Sequence, residues 1–251
     1  MSPGTRIRMV TIALVLLAWE ALAWSGLVFQ GVVPSSLTVL ASAARQLSEG
    51  EFYGHLWRSC QEIGLGFAIG SAVGIAVGTA MGLSVFFGGA LQPFIHVLAP
   101  TPKIVFLPVL MILFGVDMGS KIAMGAISAF FPVAVTSYEA VRLVPRVLIH
   151  VGRSFQASRR QMITKVYFPA MLPAVTTGMR LGLGVAIIGT LLAEIKLSNR
   201  GLGFLAIQQY DAFRIPDLYA VLLLIFALAV AANMLIGRLS RRLHRRSSAN
   251  H

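Results

Sequence analysis

Arg142-Leu-Val-Pro-Arg-Val-Leu-Ile-His-Val-Gly-Arg-Ser-Phe-Gln-Ala-Ser-Arg-Arg-Gln161 opens a stretch that runs on through Phe168-Pro-Ala-Met-Leu-Pro173 to Arg180. It holds seven basic residues (Arg142, Arg146, Arg153, Arg159, Arg160, Lys165, Arg180) and no Asp or Glu, and long apolar runs flank it. A basic loop between membrane spans marks the cytoplasmic side. Inside it, Val151, Phe155, Met162 and Val166 fall near one helical face, while Arg153, Arg159, Arg160 and Lys165 fall largely off that face. An amphipathic helix of this kind either lies on lipid or docks into a protein groove, and the residues alone leave both readings open. Pro169 and Pro173 end the segment and start the next helix.

Composition fits this setting. The chain has 251 residues, 57% hydrophobic and 12% charged. Globular chains carry about 25% charged residues, so a soluble domain could not cover its surface with so few. The chain reads as an all-α integral membrane protein. Its net charge of +12 concentrates next to spans: Arg6 and Arg8 at the start, the 142–165 loop, and Arg238, Arg241, Arg242, Arg245 and Arg246 in the tail. No room remains for a folded basic face, which excludes nucleic-acid binding. Attraction to the anionic lipid bilayer is a secondary benefit of the same charges. Cys60 is the only cysteine, so no internal disulfide forms. His55, His96, His150, His244 and His251 are scattered, and no metal-ligand spacing exists.

A span needs about 20 apolar residues. The predicted spans cover 7–29, 63–85, 91–114, 122–141, 173–195 and 218–236. Ala21-Leu-Ala23 in the first also fits a signal peptide, although the many later spans favour an uncleaved anchor. The polar stretch 30–58 holds a short amphipathic helix over 37–47. The third span is broken by Pro93, Pro100, Pro102 and Pro108, and Gly115-Val-Asp-Met-Gly119 is a tight turn. Six spans put both termini on one side, and the basic start, loop and tail then share the cytoplasm. The whole chain, 1–251, reads as one transmembrane domain, with its loop at 142–172 and its tail at 238–251.

Gly66, Gly70, Gly74, Gly78 and Gly82 recur every fourth residue and form a smooth stripe. Small residues at this spacing allow close helix packing, and a smooth seam also permits sliding. Pro100-Thr-Pro-Lys103 suggests an irregular helix start, either beside a pathway or at an interfacial re-entry. Lys103 either snorkels to the surface or meets an anion. Glu194 is an interfacial acid or, if it faces the interior, a functional one, and Glu20 poses the same question. Arg180 can snorkel toward the cytoplasmic face. Gly115 to Lys121 fails the spacing of a phosphate loop. No nucleophile has a base beside it, so catalytic residues are absent and any ATP chemistry comes from another chain.

Arg153-Ser-Phe-Gln-Ala-Ser-Arg-Arg-Gln161, Phe168-Pro-Ala-Met-Leu-Pro-Ala174 and Gly178-Met-Arg-Leu-Gly-Leu-Gly184 together resemble the EAA loop of binding-protein-dependent ABC transporter permeases. The nitrate/sulfonate/taurine permease group is the nearest pattern. Val33-Pro-Ser35, the glycine stripe, Pro100-Thr-Pro-Lys-Ile-Val-Phe-Leu-Pro108, Phe130-Phe-Pro132, and Ala193-Glu194 with Gly201-Leu-Gly-Phe204 extend the likeness over nearly the whole chain. The family loop opens Glu-Ala-Ala and carries a glycine four residues after the second alanine. Here those positions are His150, Val151, Gly152 and Gln156, and the literal Glu139-Ala140 belongs to the end of the fourth span. Losing the Glu removes an anionic contact. Losing the glycine removes easy access to a left-handed turn, so the helix is expected to run straighter through Gln156.

The resemblance implies a type I ABC importer permease fold with a coupling helix at about 152–160. Gly152, Arg153, Ser154, Phe155, Gln156, Ala157, Ser158 and Arg159 would meet an ATPase pair, and that pair would bind ATP and Mg; this chain binds no cofactor itself. A second permease copy, giving a homodimer, would complete the pathway, with Glu194 and Lys103 as its candidate residues. A periplasmic or lipid-anchored binding protein would deliver a small solute, such as a sulfonate, taurine or nitrate, to the outer loops 30–58 and 196–217. The setting implied is a bacterial inner membrane with both termini cytoplasmic. A secondary transporter would need matched halves and midplane charges, which are not evident. A non-catalytic scaffold subunit would leave the patterned loop unexplained.

Overall fold

The computed structural model describes residues 3–25 and 32–249. Residues 26–29 of the predicted first span, residues 30–31 of the outer stretch, and residues 250–251 of the tail lie outside them. Among the described residues the fold is helical without strands. The order is α1 (Pro3–Trp24), α2 (Ser36–Ser48), α3 (Gly50–Leu83), α4 (Val85–Leu98), a 3-10 turn (Lys103–Phe106), α5 (Leu107–Phe114), α6 (Met118–Arg142), α7 (Arg146–Ser154), α8 (Arg159–Gln161), a wider-wound stretch (Met162–Tyr167), α9 (Phe168–Leu197), α10 (Leu202–Asp211) and α11 (Ile215–Ala249). Among the described residues, five helices are long and apolar enough to cross a membrane, or six when α4 and α5 count as one span bent by 99°.

Helix starts follow local chemistry. Ser35 caps α2 by accepting from the Thr38 amide, and Ser84 caps α4 by accepting from that of Phe87. A hydroxyl at this position satisfies one of the first-turn donors that the helix itself leaves free. α3 begins at Gly50, well before the predicted 63, because Phe52, His55, Ser59 and Glu62 turn one face into the bundle at helical spacing. Polar residues there find partners inside the protein, so a lack of hydrophobicity did not end the helix. Likewise the wide-wound stretch and α9 join into one helix from Arg159 to Lys196, reaching well ahead of the predicted 173. The predicted polar loop 196–217 contains α10.

α6 is the hub, packed between α3 on one side and α9 on the other. A Cβ built on Gly66 would lie 2.7 Å from the Ile122 carbonyl oxygen, and one on Gly74 2.9 Å from that of Phe130. Gly70 and Gly78 approach the Ala126 and Ala134 carbonyls more closely still, and Gly82 abuts Val141. On the adjoining face of α6, Gly182 of α9 meets Val133, which Gly74 also approaches, and Gly189 meets Ser128. Two stripes of small residues thus let three backbones approach closely, as small-residue seams do in membranes.

The bundle has two distinct ends. At one, Arg58 pairs with Asp117, Gln46 Nε2 donates to the Asp217 carbonyl (3.0 Å), and α10 lies across the start of α3. At the other, Val144, Met171 and Val175 pack with Ile149 and Tyr167 beneath α7. α1 is tied in at the α10 end, where Trp19 Nε1 donates to the Pro34 carbonyl and its ring meets Tyr219 edge-on. Glu20 accepts from the amide and hydroxyl of Ser36, so this acid anchors the start of α2.

Candidate functional site

α7 is short and strongly two-sided. Ile149 and Gly152 face the bundle, and Gly152 sits so close to Met162 that a Cβ there would lie 2.6 Å from its sulfur. On the outer side, Val147, Val151 and Phe155 form a line at four-residue spacing and are 70%, 48% and 84% exposed. Arg146, Arg153 and His150 flank this ridge and are exposed.

The helix does not run through Gln156. It ends at Ser154, and Gln156 takes a left-handed conformation with φ 52°. The Ala157 amide donates to the Gly152 carbonyl (3.0 Å) and the Gln156 amide to that of Arg153 (2.9 Å). These two bonds define a Schellman C-cap, in which a glycine ordinarily occupies the left-handed position. The expectation of a straighter helix is therefore corrected: the cap's two bonds stabilise the turn without the glycine. Ser158 and Gln161 then close a reciprocal capping box that starts α8. The predicted single helix at 152–160 is instead the end of α7, a turn at 155–158 and the start of α8. The reversal also splits the predicted apolar face. Val151 and Phe155 stay outside, while Met162 and Val166 fold back under Gly152.

A second constellation lies at the α10 end. Glu194 is fully buried on α9. Its Oε1 accepts from Ser59 Oγ (2.6 Å) and its Oε2 from the Gly203 amide (2.7 Å). Ser59 Oγ in turn accepts from the Leu202 amide (2.8 Å), and His55 Nδ1 from that of Gly201 (3.1 Å). Three successive amides at the start of α10 are thereby tied to α3 and α9. Gly201 has φ 115°, and a Cβ built there would lie 2.5 Å from the Glu194 carboxyl carbon, so no side chain fits at this position. Beside it, buried Glu62 accepts from Arg58 Nε (2.8 Å), and buried Lys121 donates to the Val116 and Asp117 carbonyls. The geometry makes Glu194 the anchor of α10.

Lys103 meets acceptors as well. Its Nζ donates to the carbonyls of Leu98 and Ala99 at the end of α4 and sits 4.9 Å from the centre of the Phe131 ring. Pro100 and Pro102 follow and cannot donate amides, so the ammonium caps the last carbonyls of α4, with the Thr101 amide also donating to Leu98 (3.2 Å). Lys103 and Glu194 are not brought together with each other or with the α7 ridge.

Sequence reasoning passed over Glu62 and Ser59, met Lys121 only in a rejected phosphate loop, and met His55 only among scattered histidines. Two charges, Glu62 and Lys121, each border a long apolar run. That placement is the signal that could have marked them, since an ionised group at a span end either faces water or finds a buried partner.

The family described as the inner membrane component of binding-protein-dependent transport systems matches residues 70–248. The putative aliphatic sulfonates transport permease protein SsuC of Bacillus subtilis is 29% identical over 212 residues, 84% of this chain and 77% of that protein. The taurine transport system permease protein TauC of Escherichia coli is 37% identical over 158 residues, 62% of this chain and 56% of that protein. Among solved structures, an inward-facing MetNI methionine ABC transporter aligns with a TM-score of 0.68 at 18% identity, over 75% of this chain and 94% of that one.

Proposed function

The chain belongs to the family of inner membrane components of binding-protein-dependent transport systems, and on that premise we propose that its α7 ridge is the surface through which a partner ATPase drives transport. The chain is a multi-pass ABC importer permease. ATP and Mg belong to the ATPase pair, and a second copy of the permease completes the pathway. The basic start, loop and tail lie in the cytoplasm, together with both termini. A binding protein delivers the solute at the α10 end. The relatives' transport of sulfonates and taurine supports a small aliphatic sulfonate as cargo.

One observation carries the coupling reading: an apolar ridge is held out from the bundle on a short helix that a Schellman cap closes, inside the family-matched region. Burying Phe155 alone in a groove stabilises the contact by about 1.5–3 kcal/mol. Arg153 and Arg146 beside it favour an acidic rim on the partner. The test uses the complete transporter in vesicles with Phe155→Ala or Arg153→Glu. Transport is expected to fall at least tenfold while ATP hydrolysis continues. Full substrate-stimulated turnover in both variants would overturn the assignment.

A further inference from the structure

At the α7 end, the corner where α3 gives way to α4 opens a cavity of about 280 Å³. Ser84, Gly88 and Gly89 line it from the corner, and Gln92, Tyr138 and Arg142 from α4 and α6. The last three are linked. Arg142 donates from a guanidinium nitrogen to the Tyr138 hydroxyl (2.6 Å), and that hydroxyl donates to Gln92 Oε1 (3.0 Å). The guanidinium carbon also lies 5.5 Å from the centre of the Tyr138 ring. Tyr138 is buried, so a core residue holds an exposed arginine in one place. These bonds leave donors over. Gln92 keeps its Nε2 protons because its Oε1 is occupied, and the Ser84 hydroxyl keeps its proton because its oxygen accepts from the Phe87 amide. Gln92 is half-buried and Arg142 exposed, so a ligand can reach them. Among the described residues, no carboxylate lines the cavity. Arg45 and Arg58 pair with carboxylates, whereas Arg142 meets a hydroxyl and a ring face.

We propose that this cavity binds a phosphate-bearing anion, its oxygens against the Arg142 guanidinium, Gln92 Nε2 and the Ser84 hydroxyl. A guanidinium presents a planar fork that matches two oxygens of one phosphate, and charge-assisted bonds of this kind are the strong ones. With no carboxylate in the lining, nothing answers the ammonium of a zwitterionic headgroup, so a net-negative ligand is selected. The volume is at the small end of ligand cavities and suits a headgroup of few heavy atoms. Two sources share this chemistry: the phosphodiester of an anionic lipid and free inorganic phosphate. Val85 lines the same cavity, and Phe86 and Phe87 follow it, all three exposed and apolar, which favours the lipid. Basic pockets between spanning helices suit anionic headgroups. The site is separate from the ridge of Val147, Val151 and Phe155. The inference rests on the membrane setting and not on the coupling or cargo readings.

The test uses the full chain, without the ATPase, in nanodiscs of equal phosphatidylglycerol and phosphatidylcholine, with retained lipid read by native mass spectrometry. A second arm titrates inorganic phosphate by calorimetry into discs of phosphatidylcholine alone. Phosphatidylglycerol is expected to be retained at least tenfold over phosphatidylcholine, or inorganic phosphate to bind in the second arm. Arg142→Gln is expected to weaken whichever binds by about tenfold or more, as loss of hydrogen bonds to a charged group does. Because Arg142→Gln also releases the Tyr138 hydroxyl, Gly89→Leu provides a second variant. A Cβ at Gly89 meets nothing within 4 Å, so the fold accepts the side chain, which fills the cavity and leaves the Arg142–Tyr138–Gln92 bonds intact. It is expected to lose binding to the same extent. Lys165→Gln removes one charge from the same basic loop, on an exposed side chain outside the cavity, and is expected to bind as the parent does. The proposal is overturned if neither arm shows selective binding, if either Arg142→Gln or Gly89→Leu binds as the parent does, or if Lys165→Gln loses as much as Arg142→Gln, which would make the attraction diffuse.

Discussion

Gly64 and Gly66 stand two residues apart on α3, yet alanine should act on them in opposite directions. At Gly64 an added Cβ meets nothing within 4 Å. The substitution there gains only helix propensity, worth about 1 kcal/mol. At Gly66 the new Cβ falls 2.7 Å from the Ile122 carbonyl oxygen, 3.1 Å from the Ala126 nitrogen and 3.2 Å from the Gly125 Cα, short of the 3.4 Å at which ordinary contact begins. All three are backbone atoms of α6, so no rotamer change relieves the clash and the helices must separate. Overpacking of this kind costs about 1–3 kcal/mol. The same stripe is tight at Gly70, Gly74 and Gly78, which denies α3 a local tilt. Set against the propensity gain, Gly66→Ala should destabilise while Gly64→Ala stabilises, and the pair should differ by roughly 1–3 kcal/mol. At about 2–4 °C per kcal/mol, their melting temperatures should separate by several degrees. The chain contains a single thiol, Cys60, half-buried on the same helix, so a thiol-reactive dye in a detergent melt reads the opening of α3 directly. Equal melting temperatures for the two variants would refute the claim that backbone contact with α6 fixes this face.

Gln156→Gly should stabilise the α7–α8 turn by about 1 kcal/mol, because it removes the cost of a left-handed side-chain-bearing residue; a lower melting temperature would contradict the cap geometry. Glu194→Ala leaves the Ser59 hydroxyl and the Gly203 amide without their buried acceptor and should cost about 1–3 kcal/mol for each, with Glu194→Gln intermediate. Limited proteolysis at residues 198–201 should rank the parent, Gln and Ala in order of increasing cleavage, and equal rates would remove Glu194 as the anchor of α10. Lys103→Met removes the ammonium from the Ala99 carbonyl and leaves Leu98 only its bond from the Thr101 amide, at a cost of about 1–3 kcal/mol. It should raise hydrogen exchange of the amides at the end of α4, and exchange that matches the parent's would show that the lysine does not cap α4.

The helical class and the number of spans were legible because apolar runs of sufficient length leave the chain no other way to satisfy its backbone in lipid. The basic loop was legible as a patterned segment from its charges, but the helix expected at 152–160 lies at Arg146–Ser154, because the turn at Gln156 ends it. Other features were hidden for physical reasons. Hydropathy placed the start of α3 at 63, because Glu62, Ser59 and His55 look like loop residues until Arg58, Glu194 and the α10 amides supply their partners. α10 escaped because its helix depends on three tertiary amide bonds more than on its own periodicity. Gln156 misled because residue preference argued for a straight helix, whereas the cap's two bonds favour the turn.

The 99° elbow between α4 and α5 has a consequence for biogenesis. α4 has 14 residues and would reach about 21 Å, short of the roughly 30 Å of hydrocarbon a lone span must cross. α5 is shorter still. Neither half can leave the translocon as an independent stable span. The segment between Val85 and Phe114 has to wait in a sheltered state until α6 emerges to receive it and Lys103 can settle against Phe131. Insertion of this permease is thus cooperative across residues 50–142, and a chain interrupted before α6 should be held at the translocon or handed to quality control.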